Sequence, residues 1–473
     1  MILFSPVRHS PDGLTLADQA VNAIEQAIEA RVLRPGMTMP SIRRFARDHQ
    51  LSTFTVQVAY SRLVARGFLQ ARPGAEYRVV RPGSGPERPV STVWEAPRVG
   101  PAWLLSDVFA DHSIAIKAGC GWLPPDWHNE TGLQHALRQL ARVPVGQMAS
   151  YGHPLGYRPL REDVVRYLNG YGVEADVEQV LLTHGATQAL DIVTRTVLRP
   201  GEHVAVEVPC YANLLQILVL NGIVVHGVPR MADGLHEATL QQLAAAYPLR
   251  AVFVTSVLQN PTGTSFSMAG AFRLLQWAER HDLIVVEDDV SRELLLEPAP
   301  LLTALASTRR VVYVSGFAKS VMPSLRVGYL VGDEDLVRRC AQTKMSLGLT
   351  SAEIMERTVH QVLRDGRQGA YLRDVRARLG RAHDQVCQQL HEARFEVSHE
   401  PGAGLFLWAR PGVPIRTPGG AVGLAAEALQ RSIWLAPGAY FYPDGRDEGW
   451  FRFNVAYSAS PTLWKFFADA GLT

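Results

Sequence analysis

Three polar side chains of different chemistry follow three successive apolar runs of the sequence. They are Asn260 after residues 251–256, Asp288 after residues 283–287, and Lys319 after residues 311–315. If these runs are parallel strands, their carboxyl ends meet at one edge of a sheet, where open α/β sheets bind their ligands. The chain has only four lysines, so few positions could supply a primary amine. An amide, a carboxylate and an amine are therefore predicted to share one site.

A fourth apolar run, residues 180–183, leads into Gly185, Ala186 and Thr187 at the start of a helical pattern. Small residues there leave backbone N–H groups free to hold a phosphate. Pyridoxal 5'-phosphate needs such a helix N-terminus, an amine to form a Schiff base with its aldehyde, and an acid to keep its ring nitrogen protonated. Its phenolic oxygen also needs a hydrogen-bond donor. These residues predict a pyridoxal phosphate site, in which His184 either touches the ring or caps the helix.

The elements that would position these residues form a doubly wound, mostly parallel α/β sheet. The candidate strands are apolar along their length, as strands buried on both faces are. They cover residues 180–183, 203–208, 223–228, 251–256, 283–287, 311–315 and 327–332. Amphipathic stretches such as 186–197 and 267–281 separate them. The tail from about residue 345 predicts a smaller α+β subdomain, with strands at 406–410 and 451–457.

The N-terminal part of the chain predicts a winged helix-turn-helix. A helical pattern covers residues 14–30, Ser41 precedes a short second helix, and Ser52 or Thr53 begins a third. Two short strands within residues 66–81 complete the wing. A generic small helical domain is the alternative interpretation.

Charge is distributed unevenly along the chain. Residues 1–82 hold eleven arginines, no lysine and six acidic residues, a net charge of +5 that leaves −3 for the rest. A basic module on a nearly neutral body indicates a polyanion partner, here double-stranded DNA. We therefore predict a DNA-binding domain at 10–81, a Pro/Gly-rich linker at 82–112 and an effector domain at 113–473.

Composition excludes several other classes of protein. An apolar content of 47% with 19% charged residues is typical of a globular chain and argues against extensive disorder. The four cysteines are scattered, which predicts neither a zinc site nor a disulfide framework. The longest apolar stretch, residues 214–228, is broken by polar residues and is too short to span a bilayer. We expect a cytoplasmic protein with no metal and no membrane partner.

These motifs resemble the MocR family, in which a GntR-type winged helix-turn-helix is fused to a fold-type-I aminotransferase-like domain. The resemblance rests on Asn-Pro-Thr-Gly at 260–263, on Asp288, on Lys319 with Arg326 seven residues further on, and on Arg-Pro-Gly at 34–36 in the head. It runs from about residue 14 to the end of the chain, apart from the linker.

The resemblance implies a role for each site residue. For the cofactor ring, it assigns Lys319 to the Schiff base, Asp288 to the ring nitrogen, Asn260 to the phenolic oxygen and Tyr211 to stacking. For the phosphate, it assigns Gly185, Ala186, Thr187 and Arg326 of the same chain. It further assigns Arg452 to a substrate carboxylate and Tyr151 to the cofactor phosphate of a partner subunit. Tyr211 as a core aromatic and Arg452 as a structural ion pair are the alternatives. Asp289 is expected to support the site indirectly or to cap a helix.

The sequence departs from the family pattern in both parts. Where many relatives carry a tyrosine after the ring-nitrogen aspartate, this chain has Val290 and Ser291, and a common phosphate-binding serine is Gly316. The recognition helix lacks the usual Ser-Arg start, and Glu76 lies at the wing tip. The candidate DNA contacts are Arg43, Arg44, Ser52, Thr53, Thr55 and Arg72, with Arg47 and Arg62 as further arginines.

Two functions from different classes follow. The first is a transcription regulator, a head-to-tail homodimer by resemblance, whose effector domain senses an amino acid, an amine or pyridoxal phosphate itself. The second is an active aminotransferase that acts on an amino acid, with Lys319 also moving the proton. The altered residues near the cofactor put efficient transamination in doubt.

Overall fold

The structure is a computed structural model, and it describes residues 6, 15–30, 32–72, 76–80 and 114–473. The chain divides into two compact units, residues 1–95 and 96–473, which we call the head and the body. The predicted linker at 82–112 lies outside the described residues, so its boundaries stay a prediction. Within the described residues, no helix is long and apolar enough to cross a membrane.

The head is a winged helix-turn-helix. Its elements are α1 (Leu16–Glu29), α2 (Ile42–Asp48), α3 (Thr53–Ala65), β1 (Leu69–Arg72) and β2 (Glu76–Val79). Each helix begins at a hydroxyl side chain that accepts a backbone hydrogen bond: Thr15 from Asp18 N, Ser41 from Arg44 N, and Ser52 from Thr55 N. Ser52 is thus the cap of α3 and Thr53 its first residue, which settles the alternative left by the sequence.

The helices of the head pack on a small apolar core. Ile24, Phe45, Tyr60 and Leu63 are almost completely buried in it, and Tyr60 donates a hydrogen bond to Pro40 O. β1 and β2 pair antiparallel, with Leu69 opposite Val79. The turn between them, residues 73–75, lies outside the described residues.

The body contains a large sheet whose strands agree closely with the predicted apolar runs. They are β3 (Val180–Thr183), β4 (His203–Val208), β5 (Val224–Met231), β6 (Gly234–Leu235), β7 (Leu249–Thr255), β8 (Ile284–Asp288), β9 (Val311–Gly316) and β10 (Gly328–Val331). The order in space is β3-β10-β9-β8-β7-β4-β5-β6. The neighbours β9, β8, β7, β4 and β5 are parallel, whereas β6 is antiparallel to β5 and β10 is antiparallel to both of its neighbours. Fold class is as predicted.

Helices surround this sheet and continue into the C-terminal part. They are α4 (Glu130–Leu140), α5 (Arg158–Asn169), α6 (Ala186–Val197), α7 (Ala212–Leu220), α8 (Glu237–Ala246), α9 (Met268–Arg280), α10 (Leu302–Ala306), α11 (Glu334–Gly348), α12 (Glu353–Arg364), α13 (Gln368–Glu392), α14 (Gly420–Gln430), α15 (Val455–Ser458) and α16 (Pro461–Asp469). Central strands such as β4 and β8 are buried on both faces, because helices cover both sides of the sheet.

A smaller antiparallel sheet forms the second core of the body. Its strands are β11 (Phe395–Val397), β12 (Phe406–Pro411), β13 (Ala436–Pro437) and β14 (Phe451–Asn454), in the order β11-β12-β14-β13. The predicted strand at 451–457 is too long, because the Asn454 side chain accepts a hydrogen bond from Ala456 N and begins α15. Residues near 116–123 also join this core, which the sequence analysis did not foresee: Ile116 bridges to Ile433.

Candidate cofactor site and DNA-binding surface

The three strand ends singled out in the sequence lie side by side. β7, β8 and β9 are parallel neighbours, and Asp288 pairs in register with Thr255 on one side and Val314 on the other. Asn260 follows β7 by five residues and Lys319 follows β9 by three. The amide, the carboxylate and the amine therefore reach the same edge of the sheet.

Asp288 is a buried acid with an unused acceptor. Its side-chain Oδ1 has no hydrogen-bond partner among the described residues. Burial, with the nearby Glu207 carboxylate as a second cause, raises the pKa of Asp288 to about 7. A protonated ring nitrogen would supply the positive charge and the N–H that this oxygen lacks.

Lys319 is the amine at this edge. Its Nζ donates a hydrogen bond to Gly121 O, and burial together with the positive charge of Arg452 lowers its pKa to about 8. Lys344 is the other buried lysine, but its Nζ donates to Pro154 O at 2.9 Å and Leu182 O at 2.8 Å. Lys344 thus ties the chain before α5 to β3, a role that sequence reasoning missed.

Gly185 and Arg326 form a cradle at the N-terminus of α6. Gly185 has a φ of 81°, which favours glycine, and a Cβ placed there would lie 2.7 Å from Arg326 Nη2 and require the guanidinium to move. Arg326 is itself in the left-handed region, with a φ of 51°, and its Nη2 donates to His184 O at 3.3 Å. The guanidinium is exposed beside the free N–H groups of α6, as a phosphate site requires. His184 is exposed as well.

Close packing of the backbone explains why a glycine stands at position 316. A Cβ there would lie 3.2 Å from both Gly328 Cα and Val327 O, because β9 and β10 pair closely at this point. Gly328 in turn leaves no room for a Cβ against Gly185. The strands and the start of α6 therefore approach one another through glycines, and a serine at 316 would require the backbone of β10 to shift by a few tenths of an ångström.

Tyr211 stands at the N-terminus of α7, next to the phosphate cradle. Its hydroxyl lies 3.2 Å from Thr187 Oγ1 and accepts a hydrogen bond from Asn213 Nδ2 at 3.0 Å. The side chain is half-buried, and burial raises the pKa of Tyr211. Thr187, predicted as part of the cradle, thus reaches the ring that is predicted to stack on the cofactor.

Arg452 holds Asn260 in one orientation. Arg452 Nη1 donates to Asn260 Oδ1 at 2.7 Å, so the amide oxygen is occupied and Asn260 Nδ2 remains to donate. Nη2 donates to Gly119 O at 2.5 Å, while Nε has no partner among the described residues. Burial lowers the pKa of Arg452 to about 10. Both hydrogen-bond partners of this buried arginine are uncharged. Arg452 therefore does not form the structural ion pair that we considered as its alternative role.

A buried polar network supports the Asn-Pro-Thr-Gly turn. Gln259 Oε1 accepts from Thr262 N and Oγ1, and Gln259 Nε2 donates to Glu207 Oε1 at 3.1 Å. Glu207 also pairs with Arg230 at 2.6 Å, and both side chains are almost fully buried. The sequence analysis missed this network, although a glutamate and an arginine inside apolar strands were a visible signal.

Asp289 faces away from Asp288 and belongs to a different set of contacts. It forms an ion pair with Arg292, and Tyr313 Oη donates to its carboxylate at 3.1 Å. It caps no helix, so of the two roles expected of it the capping role is wrong and indirect support of the site stays a prediction. Ser291 instead starts the short 3₁₀ turn at Arg292–Leu294.

Tyr151 lies on an exposed surface of the body, away from these contacts. Its side chain is 82% exposed, and the adjacent Gly152 packs beside Glu353. Exposed apolar residues continue along the end of α11 and the start of α12: Met345, Leu347, Leu349, Ile354 and Met355. We call Tyr151 and these five residues the apolar patch.

The predicted DNA contacts lie on the head. Arg43 and Arg44 are exposed on α2, and Arg44 is 3.7 Å from Asp48 in a loose ion pair. Ser52 is occupied as the cap of α3 and lies 2.7 Å from Thr55 Oγ1, while Thr53 is exposed. Arg72 ends β1, opposite Glu76.

Two further features of the head were not foreseen from the sequence. Arg62 pairs with Asp18 at 2.5 Å and so joins α3 to α1, while its side chain stays exposed and its role as a further DNA contact stays a prediction. Phe54, on the first turn of α3, is 73% exposed. A large apolar side chain at that point of a recognition helix is a candidate base contact. The sequence could have indicated it, because Phe54 directly follows the predicted DNA contact Thr53.

Comparison with known proteins agrees with this architecture. The profile of the aminotransferase class I and II family matches residues 124–464, and that of the bacterial regulatory proteins of the gntR family matches residues 16–79. The chain belongs to the aminotransferase class I and II family, whose fold is that of pyridoxal phosphate-dependent enzymes. With the GntR domain in front, it is a transcriptional regulator of the MocR type.

Three similar proteins illustrate both halves. The probable rhizopine catabolism regulatory protein MocR of Rhizobium meliloti is 27% identical and aligns over 83% of this chain and 81% of its own. The 2-aminoadipate transaminase of Thermus thermophilus is 30% identical over 72% of this chain and 85% of its own. The crystal structure of α-aminoadipate aminotransferase LysN from the same species superimposes with a TM-score of 0.69 and 26% identity, covering 76% of this chain and 92% of that one.

Proposed function

We propose that this regulator binds pyridoxal 5'-phosphate in its body and senses a small amine-bearing metabolite there, while its head binds double-stranded DNA. The observation that carries the proposal is the unpartnered Oδ1 of buried Asp288, at the same sheet edge as Lys319 and the cradle of Gly185 and Arg326. Such a buried acid costs stability unless a cationic partner covers it.

Each chain residue would then have one task. Asp288 would hold the ring nitrogen, Lys319 the aldehyde carbon, Asn260 Nδ2 the phenolic oxygen, and the N-terminus of α6 with Arg326 the phosphate. Tyr211, tied to Thr187, would cover one face of the ring. When bound, pyridoxal phosphate supplies an electrophilic carbon for amines and an electron sink. The lowered pKa of Lys319 favours the neutral amine, which is the form that attacks a carbonyl.

Arg452 would select the effector. Its guanidinium has an unpartnered Nε and is held by neutral groups only, so a carboxylate would meet an uncompensated positive charge. We therefore propose an amino acid as the effector. Simple amines and pyridoxal phosphate itself remain the alternative effectors.

An active aminotransferase is the second candidate function. The retention of Lys319, Asp288 and Arg452 in one site favours it, because these groups suffice for the chemistry. Val290 and Gly316 weigh against rapid turnover, because Asn260 is left as the protein donor to the phenolic oxygen and the cradle lacks one hydroxyl.

In the head, we propose that Arg43, Arg44 and Arg72 contact phosphates and that the start of α3 meets base edges. Thr53 and the exposed Phe54 would reach the bases, with Ser52 and Thr55 holding the helix end. Phe54 is suited to a thymine methyl group rather than to a guanine edge.

We also propose a cytoplasmic homodimer whose interface includes the apolar patch. A second copy is the natural occupant because Tyr151 lies in the patch, and its predicted role is to reach the cofactor phosphate of the partner. Several exposed apolar groups on neighbouring elements are typical of association surfaces. Leu349→Glu with Ile354→Glu should shift the protein to monomer in analytical ultracentrifugation, whereas Leu220→Glu, an exposed leucine on α7, should not.

The visible absorbance spectrum with pyridoxal phosphate tests the cofactor and the effector together. We expect a band that is absent in Lys319→Ala and that shifts when a particular amino acid is added and then persists, with a change in DNA affinity. Loss of the band on adding an amino acid, followed by its return with a keto acid, would instead establish the aminotransferase. No band at all would overturn both.

A further inference from the structure

A second cavity lies next to the residues assigned to the cofactor. It has a volume of about 220 Å³ and is lined by α5, α12, the chain that follows β8, the end of β9, and β10. Cavities of about 150 Å³ already hold a benzene molecule, so this one can hold a small organic ligand. Asp288, Lys319, Arg326 and Arg452 do not line it.

Two carboxyl groups that line the cavity have oxygens without partners among the described residues. They are Oδ1 of Asp289, a residue only 1% exposed, and Oε2 of Glu293. Arg292 pairs with the other oxygen of Asp289, so it does not satisfy these atoms. Asp163, a third acid in the wall, is already paired with His360 and Arg166. The cavity thus offers two carboxyl oxygens without partners among the described residues, beside the Arg292 guanidinium that also lines it.

The rest of the lining determines what kind of cation would fit. Val164, Phe317 and Leu363 give the cavity an apolar side, whereas Tyr167 and Tyr329 add aromatic rings. A hydrated metal ion would not use the apolar side. An alkyl chain with an ammonium group would use both. Burial raises the pKa of Glu293, and a hydrogen bond with Ser320 and the positive charge of Arg376 only partly oppose this shift.

We propose that this cavity binds a small organic ammonium ion, with N–H groups donating to Asp289 Oδ1 and Glu293 Oε2 and the alkyl part lying against Phe317 and Leu363. This site differs from the one at Arg452, which is suited to a carboxylate. The inference does not depend on the cofactor. The cavity nevertheless adjoins the cofactor residues, because Val290, Gly316 and Ser320 line it and are close in sequence to Asp288 and Lys319.

Isothermal titration calorimetry on the full-length protein tests the site. The probe is n-butylammonium, with 1-butanol and butyrate as neutral and anionic analogues of the same size. Protein without bound pyridoxal phosphate, checked by its visible spectrum, is used so that the amine cannot react with the aldehyde. We expect one butylammonium per chain, bound at least about tenfold more tightly than either analogue, because charge-assisted hydrogen bonds are lost with them.

Two variants locate the binding. Glu293→Gln keeps the shape and removes the charge, and should weaken butylammonium binding about tenfold or more. Its matched control is Glu297→Gln, an exposed acid four residues further on, which should leave binding within about twofold. Leu363→Trp narrows the cavity without touching a carboxylate and should also weaken binding. Thermal unfolding checks that each variant is folded.

Several results would overturn the proposal. One is no saturable binding of butylammonium to folded wild-type protein. A second is equal binding of 1-butanol, which would show an apolar cavity only. A third is wild-type affinity in both Glu293→Gln and Leu363→Trp, which would place the amine elsewhere. If Glu293→Gln does not fold, Leu363→Trp decides.

Discussion

Arginines in the body and in the head illustrate opposite uses of the same side chain. In the body, Arg230 and Arg292 are buried against carboxylates, whereas in the head Arg43 and Arg44 are exposed on one helix. A buried arginine is committed to the groups packed around it, because an unpaired charge there is costly. An exposed arginine keeps its charge available for a partner from solution, such as a phosphate. Burial therefore distinguishes Arg230 and Arg292, which are held by the protein, from Arg43 and Arg44, which keep their charge for a partner.

The largest expected effect of a single substitution is in the body. Lys319→Ala should abolish the visible band of protein mixed with pyridoxal phosphate, because Lys344, a buried lysine near the end of β3, is engaged by Pro154 O and Leu182 O. DNA affinity in a filter-binding or fluorescence assay should stay within a few-fold of wild type. Lys344→Met is the comparison: this second buried lysine should lose stability and retain the band. A retained band in folded Lys319→Ala would contradict the assignment.

Breaking a buried arginine pair should cost more than breaking an exposed one. Arg230→Met leaves Glu207 buried without its cation, and should lower the free energy of unfolding by about 3–5 kcal/mol. Arg273→Met, at an exposed pair with Asp233, should change it by less than about 1 kcal/mol. Denaturant unfolding of the body measures both. Similar losses in the two variants would mean that burial does not set the difference.

The pKa of Asp288 predicts a pH dependence of stability in the cofactor-free protein. The folded chain keeps this proton up to about pH 7, whereas the carboxyl of an unfolded chain releases it near 3.8. Between these values the folded state binds more protons, so stability falls as pH rises, by up to about 1.4 kcal/mol per pH unit.

Asp288→Asn should flatten this profile, measured as the thermal midpoint from about pH 4 to about pH 7. The control is Asp282→Asn, whose side chain is 98% exposed and should leave the profile as it is. Pyridoxal phosphate should raise the midpoint of wild-type protein and have a smaller effect on Asp288→Asn. Identical profiles for all three proteins would show that Asp288 ionises normally.

The head should respond to loss of exposed arginines through salt dependence. Arg43→Ala with Arg44→Ala should weaken binding to any DNA sequence and reduce the slope of log affinity against log salt by about 2. The matched variant for stability is Arg62→Ala, which breaks the pair with Asp18 and should lower the thermal midpoint of the head. An unchanged slope in the double variant would remove α2 from the interface.

The smallest effect is expected at Phe54. Phe54→Ala should weaken binding to the preferred operator by about 1–2 kcal/mol, the range of a single base contact, and leave binding to unrelated DNA unchanged. Operator and random-sequence duplexes at the same salt concentration make the comparison. Equal loss on both duplexes would mean that Phe54 contributes to packing or to general affinity instead of reading bases.

The sequence by itself determined the local features of this protein. Apolar runs ended within a few residues of the observed strands, Ser41 and Ser52 capped helices, and Asn260, Asp288 and Lys319 were placed at one sheet edge. These inferences depend on neighbours in sequence and on the rule that parallel strands align their carboxyl ends. They required no knowledge of side-chain packing.

Tertiary structure decided which polar groups are paired and which are left without a partner. Glu207 forms an ion pair with Arg230, Lys344 donates hydrogen bonds to Pro154 and Leu182, and Arg452 donates one to Asn260. The partners in each of these contacts are far apart in sequence. The spare oxygens of Asp289 and Glu293 depend likewise on helices and strands from distant parts of the chain. Burial and charge come from every neighbour in space, so only the folded chain sets the pKa values and unmet hydrogen bonds that point to ligands.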